Sequence, residues 1–202
     1  MCGIAGFFSP KLSAEEADRT ATEMLSRLRH RGPDSLGRWK NTRGLHLLHT
    51  RLAVVDLTAD GHQPMISKDG RFILTYNGEI YNHKILRQEF EQSGYSFKGH
   101  SDTEVLMALI EHWGVYGALK KITGMFAFAV FDQERSILTL ARDRLGEKPL
   151  YYGLDGADFI FASELKALRA FREFSFELDQ ESLRLYKKYN YIPAPRSVYT
   201  NV

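Results

Sequence analysis

The chain has 202 residues, with 27 lysines and arginines against 25 aspartates and glutamates, a net charge of +2 and one cysteine. That length supports a large core without covalent staples, and one thiol excludes an intrachain disulfide or a thiolate zinc cluster. The near-balanced charge argues against a nucleic-acid or polybasic membrane partner. With no signal-peptide pattern and no window near the ~20 apolar residues of a membrane span, the expectation is a cytoplasmic protein.

Residues 3–8, GIAGFF, read as a buried strand ended by Ser9-Pro10. Ser13 followed by Glu16 is a capping-box signature, and Ala17, Ala21, Met24, Leu25 and Leu28 recur at helical spacing, which predicts a helix over 14–30. Gly32-Pro33 stops it. The run LHLLHTRLAVVDL has strand composition, with the turn-like TADGHQP behind it. RFILTYNGEIYN holds two strand runs around Asn77-Gly78, a dipeptide that predicts a type I′ hairpin.

Asn82 is a candidate cap for a helix carrying Ile85, Leu86 and Phe90 and closed by Gly94. Ser101 and Glu104 form a second capping-box pattern, opening a helix that runs to Gly114. From Met125 onward MFAFAVFD, SILTLARD, KPLYYG and DFIFAS read as a meander of short strands. Ser163–Ala170 and Gln180–Tyr189 read as helices, and the final YNYIPAPRSVYTNV as a linker. The sum is an α+β chain with mostly antiparallel sheet. Neither G-x-G-x-x-G nor G-x-x-x-x-G-K-[ST] occurs, so no phosphate cradle is visible.

Five residues carry candidate chemistry. Cys2 follows the initiator methionine, and trimming of Met1 would leave a thiol beside a free α-amine. With an amine pKa near 8 and a thiol near 8.5, the amine can take the thiol proton without a histidine; the competing reading is a small packing residue. Asn77-Gly78 can offer an amide and a backbone N–H to an oxyanion, or be an ordinary turn. Arg51 is a charge inside an apolar run, suited to a substrate carboxylate. Asp102 can cap its helix or face a substrate ammonium.

MCGIAGFF, RLRHRGPDS, HTRLAVVDL, YNGEIYN, SDTEVL, GMFAFAVFD and ARDRLGEKPLYY occur in the order found in glutaminase domains of glutamine-hydrolysing asparagine synthetases. The chain resembles that family from Cys2 to about Leu168, and RGPDS, where sugar-amidating relatives resemble RGYDS, favours the asparagine-synthetase branch. The resemblance implies a class II glutamine amidotransferase of the N-terminal-nucleophile hydrolase type, a four-layer αββα sandwich of two mostly antiparallel sheets. It assigns Cys2 as nucleophile, with Asn77 and Gly78 as the oxyanion hole. Arg51 would hold the glutamine α-carboxylate, Glu79 and Asp102 its α-ammonium, and Leu52, Val54 and Val55 the rest of the pocket.

Residues 1–190 would then form the glutaminase domain and 191–202 the start of a linker to an ATP-dependent synthetase domain. L-Glutamine is the implied substrate and that synthetase domain the implied partner. The family's ATP loop resembles S-G-G-x-D-S, and no Gly-Gly occurs here. No cofactor is therefore expected in this chain; ATP and Mg belong to the synthetase domain. The resemblance also admits a homodimer of the full-length enzyme. Two alternatives stay open: a related amidotransferase that amidates another carboxylate, and a non-catalytic structural module.

Overall fold

In the computed structural model, which describes residues 1–54 and 57–202, the apolar opening becomes strand β1 (Gly3–Phe8), the centre of a five-stranded sheet. Strands β3 (Leu45–Arg51) and β9 (Asp158–Ala162) flank it, with β2 (Ser35–Lys40) and β8 (Tyr151–Asp155) at the edges. The register sets Gly3 opposite Thr50. The second sheet runs in the order β4 (Met65–Ile66), β5 (Phe72–Ile80), β6 (Gly124–Asp132) and β7 (Ile137–Arg142). Every strand pair in both sheets is antiparallel.

Three apolar clusters bind four layers. Leu47 and Phe161 of the first sheet meet Ile73 and Phe131 of the second between the sheets. Helix α1 (Ala14–Leu28) lays Met24, Leu25 and Leu28 on the outer face of the first sheet, beside α4 (Leu165–Leu168). Helices α2 (His83–Gln92) and α3 (Asp102–Lys121) cover the outer face of the second sheet through Leu86, Phe90, Val105 and Leu109. The chain is thus the expected α+β, αββα sandwich. Sheets enclosed on both faces explain the continuous apolar run of β1 and the burial of every position of β3, its histidines and Arg51 included.

Local signals hold where the hydrogen bonds are local. Ser13 and Glu16 make the reciprocal box, and α1 ends at Leu28, two residues short of the expected bound, with Arg29 as its C-cap. The expected helix Gln180–Tyr189, α5, is present, opened by Asp179 and closed by Asn190 in the left-handed region. Ser101 accepts from the Glu104 N–H, but the Glu104 carboxylate turns back to the N–H groups of Lys98 and Gly99. The second box is therefore half made. Gly114 (φ 69°) kinks α3 instead of ending it. Asn82 makes no cap bond with its side chain; it ties Lys121 and Thr123 to the start of α2. The helix expected over Ser163–Ala170 shrinks to α4.

A further expectation is overturned by long-range pairing. Asn77-Gly78 is no hairpin turn: β5 runs unbroken through both residues, paired with β6 from Phe72–Asp132 to Ile80–Gly124. Neither residue has a positive φ, and a nine-residue partner strand outweighs a two-residue turn preference. Strand β2, which carries no strong apolar alternation, went unpredicted. Its Gly37 approaches Gln63 so closely that a Cβ would lie 1.6 Å from the Gln63 carbonyl oxygen. The last residues of the expected linker reach β8 of the first sheet, where the Asn201 carbonyl accepts from the Leu154 N–H, and Tyr199 makes an isolated bridge to Leu178 ahead of α5. Among the described residues no helix is long and apolar enough to cross a membrane.

Candidate active site

Cys2 sits just ahead of β1, at the level where β3 ends in Arg51. The Leu52 N–H points at the Cys2 sulfur (3.4 Å), and the thiol lies 3.6 Å from the Leu52 carbonyl oxygen. Arg31 Nε donates to the Cys2 carbonyl (2.9 Å) while its Nη1 donates to Glu164 (2.9 Å). Burial works against the Glu164 carboxylate, yet Arg31, His30 and Lys166 together bring its pKa down to about 2. The start of the chain is thereby anchored by an ion-paired arginine from the loop after α1. Burial pushes the Cys2 thiol up; the Leu52 backbone, the chain-terminal ammonium and Arg51 pull against it, and Asp102 adds to the rise.

The thiol opens on a cavity of about 320 Å³, within the range of small-ligand sites. Cys2, Arg51, Leu52 and Val54 line it from the first sheet and the loop beyond, and Asn77, Gly78, Glu79 and Asp102 from the second sheet and α3. Val55 lies outside the described residues. Of the residues expected at the site, the sandwich gathers ones up to 100 positions apart, Cys2 and Asp102 being the extremes, and Met125 and Lys148 join them from further along the chain. Arg51 is buried and donates to the Thr58 carbonyl (2.9 Å), while Glu79 is exposed.

The second-sheet wall follows from β5 hydrogen bonding. The Tyr76 N–H goes to Gln63 Oε1 (2.6 Å), and the Tyr76 carbonyl meets His49 Nε2 (3.1 Å). Opposite Gly78, Phe126 spends its N–H on Asp143 and its carbonyl on the Asp143 N–H. Tyr76–Phe128 and Gly78–Phe126 are therefore the non-hydrogen-bonded pairs of the ladder. The N–H groups of Tyr76, Gly78 and Ile80 all point away from β6. The outer two are taken, by Gln63 and by Asp102 (2.9 Å). The Gly78 N–H between them faces the cavity. Asn77 is 2% exposed, and its buried Nδ2 has no acceptor among the described residues.

Several residues in this arrangement carried no signal of their own in the sequence. Asp34 Oδ2 accepts from the Ala53 N–H (2.8 Å) and its own N–H reaches the Arg51 carbonyl (3.0 Å), which shapes the loop after β3. Gln63 also reaches Thr103 (3.4 Å), linking β5 to α3. Lys148 is buried with Nζ 3.4 Å from the Met1 sulfur. Its loop is set by Asp143, which accepts from the N–H groups of Lys148 and Glu147; burial opposes the Asp143 charge, but those bonds hold its pKa below the usual range. A cluster such as RLRHRGPDS shows basic composition, and only the fold shows that Arg31 turns inward. Among the described residues no group of three His, Cys, Asp or Glu side chains is placed to hold a metal ion.

A family model described as a glutamine amidotransferase domain matches residues 1–202. The chain is 40% identical to asparagine synthetase [glutamine-hydrolyzing] 3 of Bacillus subtilis, over 91% of this chain and 30% of that protein. It is 41% identical to asparagine synthetase B [glutamine-hydrolyzing] of Escherichia coli, over 86% of this chain and 32% of that one. A putative asparagine synthetase 2 of Methanocaldococcus jannaschii is 37% identical, over all of this chain and 42% of that protein. The chain thus spans less than half the length of these relatives. In fold it is similar to the B. subtilis glutamine phosphoribosylpyrophosphate amidotransferase, with TM-score 0.70 at 22% identity, over 88% of this chain and 45% of that one. The chain belongs to the glutamine amidotransferase domain family and shares its domain with glutamine-hydrolysing asparagine synthetases.

Proposed function

We propose that this chain hydrolyses the side-chain amide of L-glutamine through a thioester on Cys2, and that the ammonia goes to an ATP-dependent synthetase domain that amidates aspartate. The observation that carries the reading is the wall facing the thiol. There the buried Asn77 Nδ2 has no acceptor among the described residues, and the Gly78 N–H is turned away from its own ladder. Two unspent donors beside a nucleophile suit an oxyanion better than they suit a resting fold, because a buried unpaired donor is costly.

The chemistry balances with this chain's own groups. After Met1 is removed, the Cys2 α-amine takes the thiol proton, and the thiolate attacks the amide carbon of glutamine. The oxyanion is held by Asn77 Nδ2 and Gly78 N–H. The C–N bond breaks as the Cys2 ammonium returns its proton, releasing ammonia and leaving a γ-glutamyl thioester. Water then cleaves the C–S bond, giving glutamate and restoring the thiol. Arg51 would pair with the α-carboxylate, and Asp102 and Glu79 with the α-ammonium. ATP and Mg are assigned to the synthetase domain.

The test is glutamate release from glutamine, without ATP or aspartate, on protein shown by intact mass to begin at Cys2. Turnover is expected, absent in Cys2→Ala and lowered about 10²–10³-fold in Asn77→Ala. Equal turnover in Cys2→Ala would refute the thioester route.

A further inference from the structure

Asp102 opens α3, yet its carboxylate does not cap that helix. Ser101 does so, and both hydrogen bonds of the Asp102 side chain run to β5 instead. Tyr76 Oη donates to Oδ2 over 2.7 Å, and the Ile80 N–H donates to the same oxygen over 2.9 Å. Among the described residues Oδ1 accepts no hydrogen bond, and Asp102 lines the cavity. Tyr76 is 2% exposed. Burial and the neighbouring Asp102 charge keep it protonated far beyond neutral pH, so it remains a donor.

The reach of Tyr76 depends on Gly78. Residues 76 and 78 share one face of β5, and a Cβ on Gly78 would stand 2.8 Å from the Tyr76 ring. The absent side chain leaves room for the ring to lie along the strand toward Asp102. The backbone of Tyr76 is pinned at the same time, its N–H by Gln63 and its carbonyl by His49. The ring is therefore fixed at both ends.

We infer that Tyr76 is a positioning residue for recognition of the substrate α-ammonium: its phenol and the Ile80 amide together secure Oδ2 of Asp102 and leave Oδ1 to the cavity. This rests on the reading that the cavity takes an α-amino acid with a side-chain amide. A carboxylate with one oxygen fixed presents the other in a single orientation and loses less freedom on binding. Tyr76 touches no substrate atom in this account and acts only through Asp102.

The experiment is calorimetric titration of L-glutamate and of glutarate, which lacks only the α-amine, into protein beginning at Cys2. The wild type is expected to prefer L-glutamate at least tenfold. Asp102→Asn removes the preference. Tyr76→Phe, which keeps the ring and its packing, shrinks it about fivefold through weaker L-glutamate binding, with glutarate affinity unchanged. An unchanged preference in Tyr76→Phe, equal weakening of both ligands, or no preference in the wild type would overturn the inference. Glutamine hydrolysis is scored on the same samples. Its absence beside a Tyr76-dependent preference would refute the thioester reading and support the inference, whereas hydrolysis with a Tyr76-independent preference would do the reverse.

Discussion

Cys2 and Leu52 hold each other at the mouth of the cavity, the Leu52 N–H 3.4 Å from the sulfur and the thiol 3.6 Å from the Leu52 carbonyl oxygen. Burial dominates the thiol's acidity and raises its pKa, against smaller pulls from Leu52, the chain-terminal ammonium and Arg51. Less thiolate is then present at neutral pH than in free cysteine. With Met1 in place, alkylation by iodoacetamide at pH 7 is expected to be slower than that of free cysteine and to keep rising with pH after that of free cysteine has levelled off. A rate at pH 7 equal to that of free cysteine would contradict the burial argument.

Gly78→Ala puts a Cβ 2.5 Å from the Met125 carbonyl oxygen and 2.8 Å from the Tyr76 ring. A backbone oxygen in a paired strand yields only if the ladder shifts. The expected cost is about 1–3 kcal/mol, read as a lower urea midpoint. Glutamine hydrolysis should fall further than stability does, because the same shift moves the Gly78 N–H. A variant with unchanged midpoint and turnover would show that β5 tolerates the group.

Asp34→Ala removes the acceptor for the Ala53 N–H and loosens the loop that leaves β3 after Arg51. Asp34 is exposed, so the melting temperature should stay within a few degrees. KM for glutamine should rise about tenfold, since the loop backbone faces the thiol. An unchanged KM with a lowered kcat would place the effect elsewhere.

His49 is buried between the sheets, and burial drops its pKa to about 3, against the bond to the Tyr76 carbonyl, which raises it. The folded state refuses a proton that the unfolded chain accepts below about pH 6.5. Its contribution is thus complete above pH 6.5 and is lost as the pH falls toward 3, by up to about 1.4 kcal/mol per pH unit. His46, also lowered by burial, to about 4, adds to the same window. The wild-type urea midpoint should fall between pH 7 and pH 5, and His49→Gln should flatten that slope. An equal slope in the variant would assign the acid sensitivity to other groups.

The elements legible from the amino-acid order are those whose deciding contacts lie within a few residues. Ser13 finds Glu16 three positions on, the apolar period of α1 buries one face, and α5 forms over Gln180–Tyr189 as read. The thiol behind Met1, the arginine in an apolar run and the Asn-Gly pair stood out as candidates because their residue types are unusual where they occur. Their assignment to one glutamine pocket came from the resemblance.

What only the tertiary structure decided depends on partners far along the chain. Asn77-Gly78 reads locally as a turn, but β6, nearly fifty residues later, supplies a ladder that keeps β5 extended. That pairing directs the Gly78 N–H and buries Asn77 Nδ2, neither of which any local period encodes. Arg31 looks like one of several surface cations until Glu164 and the Cys2 carbonyl turn it inward. Tyr76 looks like a core aromatic until Asp102 arrives at its hydroxyl. Local hydrogen bonds and periodicity draw on near neighbours and so are written in the sequence; a site made where two sheets and a helix meet is set by long-range pairing and packing.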